Sequence, residues 1–381
     1  MSPLTQGQCL LILNGLPHIG PVTLHRLLAA LGSDPGRVLT ASREELLQVQ
    51  GVGPVIADTL RGWEAHFDLS AEEERIRRSG TQFVVAADPT YPRLLREVHD
   101  PPIGLYRRGN TPAGQRCIAI VGSRRTTQYG LTVARTFAGE LARAGFCIVS
   151  GLARGIDTAA HEGALAVGGT TVAVLGCGID RVYPPENLGL QQRIEAAGAV
   201  LSEFPFGRPT DRQSFAMRNR IVSGMSEAVI VVESGASGGA MITARFAGEQ
   251  GRLLFAVPGR VDQPTSAGCH QLIRDGATLL TTVDELLSEL SYLHGMHPHA
   301  GPPAVPAGAA VPPGLDAEAR RLLERLREGS LLGPDDLAEA AGLPVAQVCA
   351  ALLRLELTRL VVRHPDGTFE AASAFLTQRE S

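Results

Sequence analysis

The chain has 381 residues, of which 44% are hydrophobic and only 4% aromatic, so it can bury aliphatic cores in two or three domains. None of its 35 basic side chains is a lysine, which excludes mechanisms that need one, such as a P-loop or a Schiff base. The formal net charge of -4 excludes a uniformly basic coat, so nucleic-acid binding requires a local positive field.

Residues 1–65 are predicted to form short helices joined by glycine turns. Two stretches look alike, because the turns at 15–20 and 51–53 each lead into a helix with proline near its start. This is the pattern of a helix-hairpin-helix (SAM-like) domain, in which exposed amides at a helix N-terminus favour phosphate. A purely structural hairpin is the alternative, since basic side chains nearby are few and proline removes one donor.

Residues 66–293 are predicted to form the core domain, with 66–115 as a lead-in extension. Short apolar strands are expected at 117–121, 146–150, 170–176, 199–204, 227–233 and 253–259, and helices at 131–145, 156–168, around 214–225 and 241–251. Such alternation is typical of an α/β fold, a Rossmann-like doubly wound parallel sheet. Right-handed crossovers place the carboxyl ends of all these strands at one edge.

The loops expected at that edge are rich in glycine and arginine, and ligands of such sheets bind there. They hold Gly122, Ser123 and Arg124 after the first strand, Ser150, Gly151, Arg154, Gly155 and Asp157 after the second, and Gly238 and Gly239 before a later helix. Each loop joins small residues to a helix start and so favours phosphate. The dinucleotide pattern G-x-G-x-x-G is absent, so NAD is not expected, nor is any other cofactor or a metal.

The stretch 203–220 combines rings with basic side chains, in a chain poor in aromatics. It contains Phe204, Phe206 and Phe215 among Arg208, Arg212, Arg218 and Arg220. Arginines can meet a phosphate backbone while a ring such as Phe215 stacks on an unpaired base. The alternative is that Phe215 belongs to the core and the arginines are merely solvated.

Catalytic patterns are weak, and we expect no enzyme. Asp157 and His161 lie four residues apart and could form a base–orienter pair, but a helix cap and a polar niche are commoner roles. Ser123 and Ser150 stand outside the hydrolase pattern G-x-S-x-G. Glu233, at a strand end before a glycine-rich helix start, favours a nucleotide hydrolase of the phosphoribohydrolase type. That alternative lacks its P-G-G-x-G-T-x-x-E run, and a protein-only scaffold is the third hypothesis.

The segment 294–314 is rich in proline, glycine and alanine and is predicted to be a linker. Its histidines, His294, His297 and His299, are expected to be solvated rather than metal ligands. Residues 315–381 are predicted to form a winged helix, with helices at 334–342 and 344–360 and a hairpin at 361–369. Eight arginines against eleven acidic residues in 315–381 favour protein contact over duplex binding.

The six cysteines are scattered, without a C-x-x-C pair, and are predicted to be reduced thiols. The first residues lack the basic start and cleavage site of a signal peptide, and no apolar run approaches the roughly 20 residues of a membrane span. We therefore expect a cytoplasmic protein without a membrane partner.

Between about 91 and 280, the chain resembles the DNA-processing protein A family (DprA, also called Smf). The resemblance is carried in order by GSR at 122–124, SGLARGID at 150–157, AAH at 159–161, TVAVLGCGIDRVYPPEN at 171–187, RNRIVSG at 218–224, ASGGAMITARFA at 236–247 and FAVPGRV at 255–261, after a lead-in at 91–110. Two details depart from the family pattern: His270 stands where asparagine is favoured, and 236–244 differ from the usual run.

The resemblance implies a protein that binds single-stranded DNA, protects incoming DNA during natural transformation and helps load the recombinase RecA. The family's DNA pocket carries over onto Gly122, Ser123 and Arg124, onto the loop 150–157, and onto Arg218, Asn219 and Arg220. The family usually forms a homodimer through the Rossmann-like domain, with Leu272 and Ile273 as the matching apolar pair.

Overall fold

The structure is a computed structural model that describes residues 3–110, 114–293, 315–326, 332–358, 360–363 and 367–371. The chain divides into two compact units, residues 1–290 and 291–381. The predicted linker 294–314, with its three histidines, lies outside the described residues.

Six helices open the first unit: α1 (Gln6–Gly15), α2 (Pro21–Leu31), α3 (Pro35–Thr40), α4 (Arg43–Leu47), α5 (Pro54–Arg61) and α6 (Leu69–Ser79). Thr5 begins α1 with a capping box, while glycine turns precede the prolines that open α2 and α5. Their apolar faces bury Ile12 and Leu27 together with Tyr106 and Ile179 from later in the chain. The N-terminal helices therefore share a core with the sheet region and belong to the same unit.

A nine-stranded sheet forms the centre of this unit. Its strands are β1 (Gln82–Val85), β2 (Gly104–Gly109), β3 (Cys117–Val121), β4 (Cys147–Ser150), β5 (Thr171–Leu175), β6 (Ala199–Ser202), β7 (Ala228–Val231), β8 (Leu253–Ala256) and β9 (Thr278–Leu279). They lie in the order β1-β2-β6-β5-β4-β3-β7-β8-β9. The strands from β3 to β9 pair in parallel, whereas β1 and β2 of the lead-in add antiparallel strands at one edge. The predicted parallel Rossmann-like sheet is confirmed.

Helices cover both faces of the sheet: α7 (Arg93–Arg96), α8 (Gln128–Arg143), α9 (Ile156–Ala166), α10 (Leu188–Ala197), α11 (Arg212–Gly224), α12 (Gly239–Glu249), α13 (Ala267–Arg274) and α14 (Val283–Leu293). Successive side chains of a strand point to opposite faces. Ile120 accordingly packs with Phe137 of α8 on one face, and Val121 packs with Ile221 of α11 on the other. The continuous apolar strands follow from burial on both sides.

The second unit is a winged helix, as predicted. It contains α15 (Ala317–Leu326), α16 (Pro334–Ala341), α17 (Val345–Leu357) and the antiparallel strands β10 (Val361–Arg363) and β11 (Phe369–Ala371). Arg354 of α17 pairs with Asp316 at 2.7 Å, so the charge of this arginine is neutralised within the protein. Within the described residues, no single helix is long and apolar enough to cross a membrane. The helices α16 and α17, bent by 110° relative to each other, reach that length and apolar composition only when they are counted together.

Candidate nucleic-acid interface

An open pocket of about 630 Å³ lies beyond the carboxyl ends of β3, β4 and β7. β3 lies between β4 and β7, so the chain reverses its direction across the sheet here, and ligands of doubly wound sheets bind at such switch points. The pocket, called the switch-point pocket below, is lined by most of the residues predicted from the sequence: Gly122, Ser123, Arg124, Gly151, Asp157, Phe215, Arg218, Asn219, Gly238 and Gly239.

The loop after β3 is held in place by the end of β7. The Ser123 amide donates to the Glu233 carbonyl at 2.6 Å, and the Ser123 hydroxyl accepts from the Arg125 amide at 3.1 Å. The buried Glu233 carboxylate accepts from the Thr126 hydroxyl and from both the amide and hydroxyl of Thr127. Glu233 therefore positions this loop, and neither of its carboxylate oxygens is left free to act on a nucleotide.

The loops after β3 and β4 touch through their backbones at Gly155. A Cβ atom at this position would lie only 2.3 Å from the Ser123 carbonyl oxygen, and the Gly155 φ of +79° is one that other residues rarely adopt. Glycine is thus required where α9 begins, because the two loops could not otherwise approach so closely.

Arg124 and Phe215 form a flat, positively charged surface in the pocket. The exposed guanidinium of Arg124 lies 4.9 Å above the centre of the Phe215 ring. Behind the ring, Gly176 leaves it room, since a Cβ there would come within 2.8 Å, and the Tyr183 ring lies 5.4 Å away. This surface can take both a phosphate and the face of an unpaired base.

Arg218 lies beneath the floor of the pocket. It is 3% exposed, donates from Nη1 to the Val174 carbonyl, and comes so close to Gly151 that a Cβ there would clash. Nearby, buried Asp157 accepts the amides of Gly151 and Ala153 at 3.1 and 3.3 Å. Burial lowers the pKa of Arg218 and raises that of Asp157, and the charge of each opposes the shift of the other.

The N-terminus of α12 also faces the pocket. Gly238 is its N-cap residue and provides no side-chain hydrogen bond to the first-turn amides. Gly239 has open space where a Cβ would lie, and Asn219 donates to its carbonyl at 3.4 Å. Uncapped amides at the positive end of a helix bind anions, so this wall of the pocket suits a phosphate.

Two family models match the chain: DNA recombination-mediator protein A over residues 82–291, and the DprA winged helix domain over residues 305–367. Protein Smf of Synechocystis is 33% identical, with 92% of this chain and 95% of that protein covered. The chain belongs to the DNA-processing protein A family. Protein Smf of Escherichia coli is 40% identical over 73% of this chain and 74% of its own.

Two solved structures of DNA processing protein A share the fold. The Streptococcus pneumoniae protein has a TM-score of 0.65 at 32% identity, covering 75% of this chain and 98% of its own. The Helicobacter pylori protein has a TM-score of 0.50 at 32% identity, covering 57% of this chain and 98% of its own. The latter structure describes a single-stranded DNA binding mode of the Helicobacter protein.

Three side chains that were predicted to contact DNA instead bond to other groups of the protein. Buried Ser150 donates to the Ile120 carbonyl at 2.6 Å. Arg154 is exposed but ion-paired with Glu186, and Arg220 is buried and paired with two carboxylates, described below. None of these three side chains lines the switch-point pocket, and their direct contact with DNA stays a prediction.

The apolar pair predicted for a dimer is not exposed as a pair. Leu272 is 8% exposed and packs into the core between α13 and the sheet, and Ile273 is half-buried against the same core. The neighbouring His270, which departs from the family pattern, is bonded through Nε2 to the Gly259 carbonyl at 2.9 Å. Leu272 therefore stabilises its own subunit, and the dimer interface itself stays a prediction.

Arg125 and Ser237 are among the residues that line the pocket but were not predicted as site residues. Arg125 directly follows Arg124, and Ser237 directly precedes the two glycines at the start of α12. Their positions beside predicted residues were a usable signal, and Ser237 lies within the 236–247 motif.

His161 does not form the base–orienter pair considered for it. Its Nδ1 lies 2.7 Å from the Thr171 hydroxyl, which itself donates to the Ile148 carbonyl at 2.7 Å. Because the Thr171 hydroxyl already donates its hydrogen to Ile148, it can only accept from His161, so Nδ1 carries the proton of a neutral imidazole. Asp157 bonds to amides instead, so this histidine fills a polar niche within the core.

Acid should destabilise the protein through His161. Burial lowers its pKa to about 3, whereas the unfolded chain protonates near pH 6.5. The neutral ring therefore stabilises the fold fully above pH 6.5, and the free energy of unfolding falls by up to about 1.4 kcal/mol per pH unit below it. His161→Gln should flatten this slope in urea unfolding between pH 7 and 4.5.

The difference in pH slope between the wild type and His161→Gln isolates the contribution of the histidine. The raised pKa values of buried Asp157 and Glu203 act in the opposite direction, but they do so in both proteins. Equal slopes for His161→Gln and the wild type would contradict the assignment of a buried neutral ring.

Proposed function

We propose that the switch-point pocket binds single-stranded DNA, and that the protein thereby protects incoming DNA and helps load the recombinase RecA during natural transformation, in the cytoplasm. The observation that carries this proposal is the combination of the Arg124–Phe215 surface with the uncapped N-terminus of α12 in one pocket. Membership of the DNA-processing protein A family and the DNA-binding mode described for the Helicobacter relative support it.

The two walls of the pocket suit the two parts of a nucleotide. A base can stack on the flat Arg124–Phe215 surface, while phosphates lie against the amides of α12 and the exposed guanidiniums of Arg125 and Arg212. The stacking step requires an unpaired base, because duplex DNA keeps the faces of its bases covered. The proposal therefore includes a strong preference for single strands and weak dependence on sequence.

No catalytic step is part of this proposal. Asp157 accepts two backbone amides, the Glu233 carboxylate is bonded to Thr126 and Thr127, and His161 lies in the core. The candidate acids and bases are thus occupied in holding the loops. Release of a base from nucleoside monophosphates by the purified protein would favour the phosphoribohydrolase alternative instead.

Homodimer formation and contact with RecA are part of the same proposal. They rest on membership of the family, and pull-down of RecA together with sedimentation of the protein alone tests them. Neither depends on the fine geometry of the pocket, so they can fail without affecting the assignment of DNA binding.

Fluorescence anisotropy with a labelled single strand and the matching duplex, over a series of salt concentrations, tests the proposed function. Tight, salt-dependent binding that prefers the single strand is expected. Equal or absent binding of the two DNAs would overturn the proposal.

Arg124→Ala should weaken single-strand binding and reduce its salt dependence. Loss of one phosphate contact lowers the slope of log K against log salt by about 0.7 for single strands. The matched control is Arg77→Ala, which removes an exposed arginine of α6 that pairs with Glu74, far along the chain from the pocket loops. A slope for Arg124→Ala equal to that of Arg77→Ala would remove Arg124 from the DNA contact.

A further inference from the structure

The switch-point pocket is followed along α11 by two further cavities near the N-terminal helices. It shares Ala216 and Ile242 with a second cavity of about 420 Å³, which reaches the start of α2 at Gly20. That cavity in turn shares Met217 with a third of about 290 Å³, lined by the glycine turn 15–20. We call the second and third cavities together the hairpin groove. Neighbouring cavities share residues of α11, so the three lie next to one another along this helix within the first unit.

The start of α2 offers unsatisfied donors to this groove. Gly20 is its N-cap residue, in extended backbone, and provides no side-chain bond to the first turn. Open space surrounds the position of a Cβ on Gly20. Pro21 has no amide hydrogen, so the donors are the amides of Val22 and Thr23, which lack intrahelical acceptors. With 11 residues, α2 also has the positive end of a helix dipole there.

Arg220 supplies a second, independent sign of a ligand in the same place. It lines the hairpin groove and is 3% exposed. Its Nε lies 3.2 Å from Asp100 and its Nη2 donates to Glu203, but Nη1 has no hydrogen-bond partner among the described residues. A buried donor without a partner is costly, and an anion between Arg220 and the start of α2 would satisfy it.

We propose that a single strand bound in the switch-point pocket continues across α11 and places a phosphate in the hairpin groove, between the N-terminus of α2 and Arg220. This inference rests on the proposed function. It makes the N-terminal helices part of the path of the DNA, and it predicts that the bound stretch is longer than the pocket alone can hold.

The charges of the groove indicate how such a contact works. The arginines that line the groove are all paired: Arg220 with Asp100 and Glu203, Arg208 with Asp211, and Arg245 with Glu249. Since these four carboxylates outnumber the three arginines, the phosphate relies on the amides of α2 and on Arg220 Nη1 rather than on a net positive field. Added negative charge at the start of α2 should therefore abolish the contact.

Two matched substitutions test the proposal. Val22 is 39% exposed in the first turn of α2 and lines the groove, whereas Val55 is 63% exposed at the equivalent place in α5, also after glycine and proline, and does not line it. Val22→Glu and Val55→Glu make the same change of charge at the same helical position. An acid in the first turn favours a helix, so both variants should fold.

Binding of labelled oligothymidylates of about 5 and about 20 nucleotides is measured for both variants, since single-strand sites span roughly 4–16 nucleotides. We expect Val22→Glu to weaken binding of the longer strand at least about fivefold and to leave binding of the shorter strand unchanged. Val55→Glu should change the affinity for neither strand.

Two other outcomes are distinguishable from each other. Equal binding of the longer strand by the two variants, with the wild type binding both strands, would overturn the hairpin groove alone. Failure of the wild type to bind either strand would instead overturn the proposed function, and this inference with it.

Discussion

Replacing Arg218 with leucine is expected to lower the free energy of unfolding by about 3–5 kcal/mol, among the largest effects of any single substitution in the chain. Arg218 and Asp157 are 3% and 6% exposed and lie beneath the floor of the switch-point pocket. Removal of the guanidinium leaves the Asp157 carboxylate buried without its compensating charge, and the Val174 carbonyl loses its donor.

Urea unfolding at pH 7 measures this effect. The control is Arg212→Leu, which removes an exposed arginine from the first turn of the same helix and should change stability by no more than about 0.5 kcal/mol. Adding Asp157→Asn to Arg218→Leu should recover part of the loss, because the amide oxygen still accepts the loop amides without a charge. A loss below about 1 kcal/mol for Arg218→Leu would contradict the electrostatic pairing.

Gly239→Glu should weaken single-strand binding about a hundredfold. The new carboxylate stands in the first turn of α12, where it faces the anion site of the pocket. Two like charges roughly 6 Å apart repel by about 2.8 kcal/mol at an effective dielectric constant of 20, which corresponds to about a hundredfold in affinity. The helix itself tolerates an acid at this end.

Gly239→Ala is the matched control for the glutamate. Because there is open space where the Cβ would lie, alanine should fold and bind DNA as the wild type does. Anisotropy titrations of the three proteins against one labelled strand make the comparison. If glutamate and alanine bind equally well, the N-terminus of α12 does not hold a phosphate.

The sheet and most of the pocket loops could be predicted from the sequence. Runs such as 117–121 and 172–175 are apolar throughout, as expected for strands buried on both faces of a parallel sheet. Once the strands were placed, chain topology brought Gly122, Gly151 and Gly238 to one edge without any knowledge of side-chain positions.

The roles of individual arginines could not be predicted. Arg218 and Arg220 lie two residues apart on α11, yet one lies under the switch-point pocket and the other pairs with Glu203 and Asp100 beside the hairpin groove. Those carboxylates come from distant parts of the chain, so their positions exist only in the fold. The same holds for Ser150, whose hydroxyl meets a carbonyl of the neighbouring strand.

Photo-crosslinking of a 4-thiothymidine-labelled single strand, followed by mass spectrometry of tryptic peptides, tests the location of the DNA most directly. We expect the dominant crosslinks on the peptide 213–218, which carries Phe215, and on the loop after β3 that carries Arg124. Tight binding with crosslinks confined to the winged helix, residues 315–371, would contradict the assignment of the switch-point pocket as the DNA site.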